Sequence, residues 1–288
     1  MPLSLRSVMP GGSPVAALTN LPRCASSCCP RPPTLWQRWW ARHEGVWLHD
    51  RWYCSLDCFQ EGVFHYLQVA AIAPPRSDIR PNRLPLGLVL LSTGEITAEQ
   101  LRTALDLQRT AGAGKLGEWL IRMGVISEQQ VTAALAAQQG CPVFRMRELA
   151  TVPARMHWPE LLIHRYRALP LYHNPAPAAL YVGFLEGADR TFLHLLEKML
   201  RCRVQPCIAP PRTYQQCLEL HSMGTEAESI VIQQRQNLIE MTRTVGYYAQ
   251  QIRAERCSIG RWDVDLWVRL EPARGPHLDF LFRLPTTS

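Results

Sequence analysis

The sequence predicts an α+β protein: a tandem helical-hairpin repeat followed by a small α/β subdomain, with a cysteine-rich module before it and a long helix plus β-hairpin after it. Three observations carry this. A 23-residue pattern recurs at an offset of 30, short β-rich runs alternate with helical stretches after it, and five of ten cysteines crowd the first 60 residues. With 47% hydrophobic and 19% charged residues, the 288-residue chain has a globular composition that excludes wholesale disorder.

Taken in order, residues 1–20 read as a Pro/Gly/Ser-rich disordered tail and 21–71 as a Cys/Trp-rich module ending in a helical stretch, FQEGVFHYLQVAA. Residues 72–82 read as a linker, because APPRSDIRPNRLP places four prolines in thirteen residues and cannot continue a helix. The repeat and the α/β part then occupy 83–222, with CPVF, RYRALPLY and AALYVGF as β-rich runs and ADRTFLHLLEKMLRC as a helix. In the last part, 223–288, a long amphipathic helix is expected from Ile230 to about Glu255, with Val231, Leu238, Met241, Val245, Tyr248 and Ile252 on one face. A hairpin is expected around PARG.

The net charge of +7 is carried by arginine, since Lys115 and Lys198 are the only lysines. The basic residues are spread along the chain and broken by acids, which describes a solvated mixed surface better than a nucleic-acid footprint. No run of roughly 18 apolar residues occurs, and MPLSLRSVMPGGSP lacks an apolar signal core. The chain is therefore expected to be cytoplasmic, without membrane insertion, and its cysteines to be reduced thiols or metal ligands.

In the amino-terminal module, CASSCC and WYCSLDCF bring two close cysteine pairs about 25 residues apart. Two such pairs can supply a tetrahedral four-sulfur site for zinc, with Cys24, Cys28, Cys54 and Cys58 as ligands and Cys29 as the open alternative to Cys28. His43 and His49 are spare ligands. The phrase GVWLHDRWYCSLDCF resembles the second half of a treble-clef or zinc-ribbon finger, in which a strand feeds the third ligand and a helix carries the fourth. Trp36, Trp39, Trp40, Trp47 and Trp52, interleaved with Arg38, Arg42 and Arg51, suit packing around a small zinc-finger-like module. Stacking on nucleobases is the lesser alternative.

Aligned from Leu86 and Leu116, the two repeat copies share nine identities in 23 positions. Each reads as a short helix stopped at Gly94 or Gly124, an N-cap at Thr97 or Ser127 three residues before Gln100 or Gln130, and a second helix. The pattern LG-x-x-L-x-x-x-G-x-I-[ST]-x-x-Q-[LV]-x-x-A-L-x-x-Q resembles the duplicated motif in the amino-terminal domain of type II secretion and type IV pilus assembly ATPases, the GspE/MshE amino-terminal domain. The resemblance runs from residue 83 to about 220 and implies cyclic di-GMP as ligand. It implies contacts from Leu86, Gly87, Leu90, Leu105 and Gln108 in one copy and from Leu116, Gly117, Leu120, Leu135 and Gln138 in the other, with Arg83 and Lys115 as the nearby cations. Where the family usually places Arg before Leu-Gly, this chain has Pro85 and Lys115. A Leu-Gly step opening a helix lets backbone N–H groups approach a phosphate at the positive end of the helix dipole.

The one string near a phosphate loop, AGAGKLGE, lacks both the G-x-x-x-x-G-K-[ST] spacing and a hydroxyl after Lys115. Neither G-x-S-x-G nor H-E-x-x-H occurs. The sequence thus reads as a non-catalytic regulatory or adaptor protein of a secretion or pilus system, with a secretion component or a separate ATPase as partner. A ligand-free docking scaffold is the alternative, and nucleic-acid binding through the finger a weaker one.

Overall fold

The computed structural model describes residues 23–30, 45–72, 83–145, 152–176, 178–224, 228–232, 237–262 and 265–284. The expected tail at 1–20 and all but Ile72 of the expected linker lie outside them, as do His43, Trp36, Arg38, Trp39, Trp40 and Arg42. Two compact units emerge, one drawn from Met1–Ala73, Gln236–Ser258 and Leu270–Ala273, the other from Pro74–Arg235, Ile259–Arg269 and Arg274–Ser288. No helix among the described residues is long and apolar enough to cross a membrane.

In the first unit, β1 (Val46–Leu48) and β2 (Arg51–Tyr53) form a tight antiparallel hairpin that runs into α1 (Leu56–Ile72). Phe59, Val63 and Leu67, at helical spacing, are fully buried. The helix packs against the β1–β2 hairpin and against a helix from much later in the chain, Leu238–Gln251, whose Met241 and Val245 are equally buried.

In the second unit, the repeat forms four helices: α2 (Leu86–Ser92), α3 (Ala98–Ala111), α4 (Leu116–Arg122) and α5 (Glu128–Gln139). Both expected capping boxes are present. Thr97 Oγ1 accepts from the Gln100 amide at 3.2 Å while Gln100 Oε1 accepts from the Thr97 amide at 2.8 Å, and Ser127 with Gln130 repeats this at 3.3 and 2.8 Å. Gly94 and Gly124 take φ of 73° and 69°, the left-handed turn that ends each short helix. Leu90 with Leu120, Ile96 with Ile126, and Ala104 with Ala134 fill one shared core, so equivalent positions of the two copies bury each other.

A short α6 (Glu160–Tyr166), with no counterpart among the expected elements, leads into β3 (Ala168–Asn174) and β4 (Ala179–Phe184). Then come α7 (Arg190–Leu200), β5 (Arg203–Ile208) and α8 (Pro211–Gly224). The sheet has the order β3-β4-β5, with β4 antiparallel to β3 and parallel to β5 across the α7 crossover. CPVF extends it as expected, Val143 bridging Ile208 in parallel.

The carboxy-terminal expectation needs correction at its start. Residues Glu228–Ile232 form a strand, β6, and the helix is shorter than expected, α9 (Leu238–Gln251). Ile230-Val231-Ile232 is a β-branched run that suits a pleated strand, and Asn237 forms a capping box with Glu240 that starts the helix afresh. Strand β7 (Ala254–Trp262) follows, and β8 (Asp265–Pro272) with β9 (Leu278–Arg283) forms the expected hairpin. Strand β6 pairs in parallel with β9.

Trp267 and Leu281 of that hairpin join the core of the α/β subdomain. Beside them Arg269, fully buried, donates to Asp279 through Nε at 2.8 Å and Nη2 at 2.7 Å. It also donates to the carbonyls of Arg155 at 2.9 Å and His157 at 2.5 Å. Trp267 Nε1 donates to Asp279 at 2.8 Å. Burial alone would raise the Asp279 carboxyl, but the Arg269 charge and hydrogen bonds and the neighbouring His277 outweigh it and bring it down to about 2. Removing one partner strands a buried charge, so Asp279→Ala should cost about 3–5 kcal/mol by chemical denaturation. Because the folded carboxyl titrates below the unfolded one, this contribution is complete above pH ~4 and is lost as pH falls toward about 2. The acid slope over that window should flatten in the variant.

Candidate functional site

Two constellations hold the residues that the sequence singled out. In the first unit, the Sγ atoms of Cys24, Cys29, Cys54 and Cys58 all lie within 4.8 Å of one another. The Cys29 and Cys54 sulfurs stand 3.5 Å apart and those of Cys54 and Cys58 4.0 Å. Tetrahedral zinc–sulfur bonds of about 2.3 Å would set sulfurs roughly 3.8 Å apart. Strand β2 delivers Cys54, the first turn of α1 delivers Cys58, and the Ala25 amide donates to the Trp52 carbonyl at 2.8 Å, tying the CASSCC loop to the hairpin.

Cys29 joins this group and Cys28 does not. Cys28 is exposed, its Sγ 3.8 Å from Ser27 Oγ. Adjacent residues on a turn point apart, and the turn brings the second of the pair inward. His49 stands at the β1–β2 turn with its ring 4.9 Å from that of Tyr66, outside the sulfur group. Trp52 is buried and closes on Gly45, where a β-carbon would come within 2.4 Å of its indole; Trp52 is a core residue of the module and unavailable as a stacking platform. Burial raises the Cys24 and Cys54 thiols, and neighbouring thiols push Cys54 further in the same direction. Ionising all four this close together would need a cation between them.

In the second unit, each Leu-Gly pair opens a helix, α2 or α4. The two copies meet there reciprocally. A β-carbon on Gly87 would lie 2.8 Å from Leu101 Cδ1 and 3.2 Å from Leu116 Cδ2, and one on Gly117 would lie 2.9 Å from Val131 Cγ1 and 3.7 Å from Leu86 Cδ2. The leucine of each copy thus seats against the glycine of the other. The terminal glutamines repeat the exchange: Gln108 Nε2 donates to the Gly114 carbonyl at 2.9 Å, and Gln138 Nε2 to the Leu84 carbonyl at 2.6 Å. Each clasps the residue two before the Leu-Gly of the opposite copy.

Leu90 and Leu120 are fully buried in the repeat core, while Leu86, Leu105, Gln108, Leu116, Leu135 and Gln138 are half-buried around its surface. The cations are engaged. Arg83 Nη2 donates to the Ala188 carbonyl at 3.2 Å, and Lys115 and Arg167 both pair with Glu186. Burial would raise the Glu186 carboxyl, but the hydrogen bond and charge of Lys115, with Arg167, hold it below the usual carboxylate range. The turn Glu186-Gly187-Ala188 after β4 is therefore where the basic residues near both Leu-Gly steps converge, a feature with no sequence signal.

No protein-family model matches the chain. Over 122 residues it is 28% identical to the type IV pilus assembly ATPase PilB of Thermus thermophilus, a match covering 42% of this chain and 14% of PilB. Among solved structures, MshE with cyclic di-GMP is 29% identical at a TM-score of 0.39, covering 49% of this chain and 99% of that one. The amino-terminal domain of XpsE is 16% identical at a TM-score of 0.29, covering 51% and 98%. The chain is thus similar over part of its length to a type IV pilus assembly ATPase, of which it spans about a seventh, and it carries a zinc-finger-like cysteine cluster near its amino terminus.

Proposed function

We propose that the protein is a non-catalytic regulatory or adaptor component of a secretion or pilus system, that its tandem repeat takes cyclic di-GMP, and that a structural zinc holds its amino-terminal module. The proposed organisation keeps 21–71 as that module, 83–222 as the ligand-bearing domain and 223–288 as the terminal helix and hairpin. The observation that carries the nucleotide reading is the reciprocity of the two Leu-Gly segments, since a pseudo-twofold site suits a ligand made of two guanosine phosphate halves. The contacts would come from Arg83, Leu86, Leu105, Gln108, Lys115, Leu116, Leu135 and Gln138, with Gly87 and Gly117 allowing the close approach. Leu90 and Leu120, at 0% exposure, support the others from below.

The docking-scaffold reading draws on a specific observation too. Lys115 and Arg83 are already engaged, so an anionic ligand must displace Glu186 to reach Lys115. Calorimetric titration of the full chain with cyclic di-GMP separates the readings. Pro85→Arg with Lys115→Arg should tighten binding by one to two decades, since a charge-assisted bond contributes roughly 1.5–3 kcal/mol. Glu186→Gln, which releases Lys115 and Arg167, should move affinity in the same direction. Heat from none of the three proteins would leave the scaffold reading.

For the metal, Cys24, Cys29, Cys54 and Cys58 would hold zinc in a closed four-thiolate site, which contributes folding energy and leaves no open position for chemistry. Freshly purified protein should contain about one zinc per chain. Cys29→Ser should lose it and destabilise the module, while Cys28→Ser should keep it; elemental analysis showing the reverse would reassign the fourth ligand.

A further inference from the structure

We infer that Glu61 is the positioning residue of the four-cysteine site, an inference that rests on the zinc reading above. Ser26 and Ser27 lie between Cys24 and Cys29 in the chain. Ser26 Oγ donates to Glu61 Oε2 at 2.5 Å and Ser27 Oγ to Glu61 Oε1 at 3.1 Å, so each carboxylate oxygen takes one hydroxyl. Glu61 stands three residues after Cys58 on α1, next to it on the helix surface. One carboxylate thereby fastens the middle of the loop that carries two ligands to the helix that carries a third.

The chemistry fits that task. The loop is short, polar and partly exposed, and ordering it for the metal costs backbone entropy. A charge-assisted pair of hydroxyl bonds orders it in advance. A carboxylate oxygen is itself a zinc donor. With both oxygens taken by serines, Glu61 is kept from competing with the thiolates and acts only through the loop. Zinc release then requires the clasp to open as well as the zinc–sulfur bonds.

The test is a chelator chase on the zinc-loaded full chain, reading release rate and affinity by a colorimetric zinc indicator. Glu61→Ala and the Ser26→Ala/Ser27→Ala pair should each speed release and weaken affinity by about tenfold to a hundredfold. All three changes together should be no worse than Glu61→Ala. Glu61→Gln, which keeps an oxygen acceptor, should restore part of the loss. Release from Glu61→Ala and from the serine pair at the unaltered rate overturns the positioning role while leaving the zinc reading intact, and so do effects that simply add. An unaltered protein that binds no zinc overturns both. Should Glu61→Ala fail to fold, the serine pair, which leaves α1 unchanged, decides.

Discussion

The seating of each copy's leucine on the other copy's glycine is the contact on which the repeat-bearing unit depends. Gly87 and Gly117 have no side chain: a β-carbon on Gly87 would crowd Leu101 and Leu116, and one on Gly117 would crowd Val131, while Leu86 rests on it at ordinary contact distance. Beside this seating Gln108 holds the nearby Gly114 carbonyl and Gln138 the distant Leu84 carbonyl. The seating lets Leu90, Leu120, Ile96 and Ile126 share one core instead of filling two small ones. A single helical hairpin of this length has too little apolar surface to hold itself together; two copies, each closing the other, have enough.

Much of this was legible because its signals are local. Caps at Thr97 and Ser127, stops at Gly94 and Gly124 and the period of the apolar positions all act within a few residues of chain. What escaped was set by backbone groups, by local turns or by partners far away in sequence. The Gln108 and Gln138 clasps end on backbone carbonyls, which carry no residue identity. Glu186 meets Lys115 and Arg167 only because β4 ends beside the repeat. Ile230-Val231-Ile232 satisfies both a helical and a pleated pattern, and its parallel pairing with β9 decided for the strand. The choice of Cys29 over Cys28 likewise belonged to the turn, since either sulfur satisfies the spacing.

Outside the repeat, polar groups work at fixed points where apolar packing is thin or must be oriented. In the first unit four sulfurs and the Ser26, Ser27 and Glu61 clasp do this beside a hairpin of two three-residue strands. In the second, Arg269 joins the terminal hairpin to the carbonyls of Arg155 and His157 while Trp267 fills the adjoining core. Buried Arg269 and Asp279 define one register for that hairpin, because a shift of one residue would leave both charges unpaired.

In the proposed site the two repeat copies should answer a nucleotide as one reciprocal unit. Amide hydrogen exchange of the full chain, with and without cyclic di-GMP, tests it most directly. Protection should rise together in the segments around 83–90 and 113–120, to the same extent and at the same ligand concentration. Protection of one segment alone, or of neither at saturating ligand, would contradict the account.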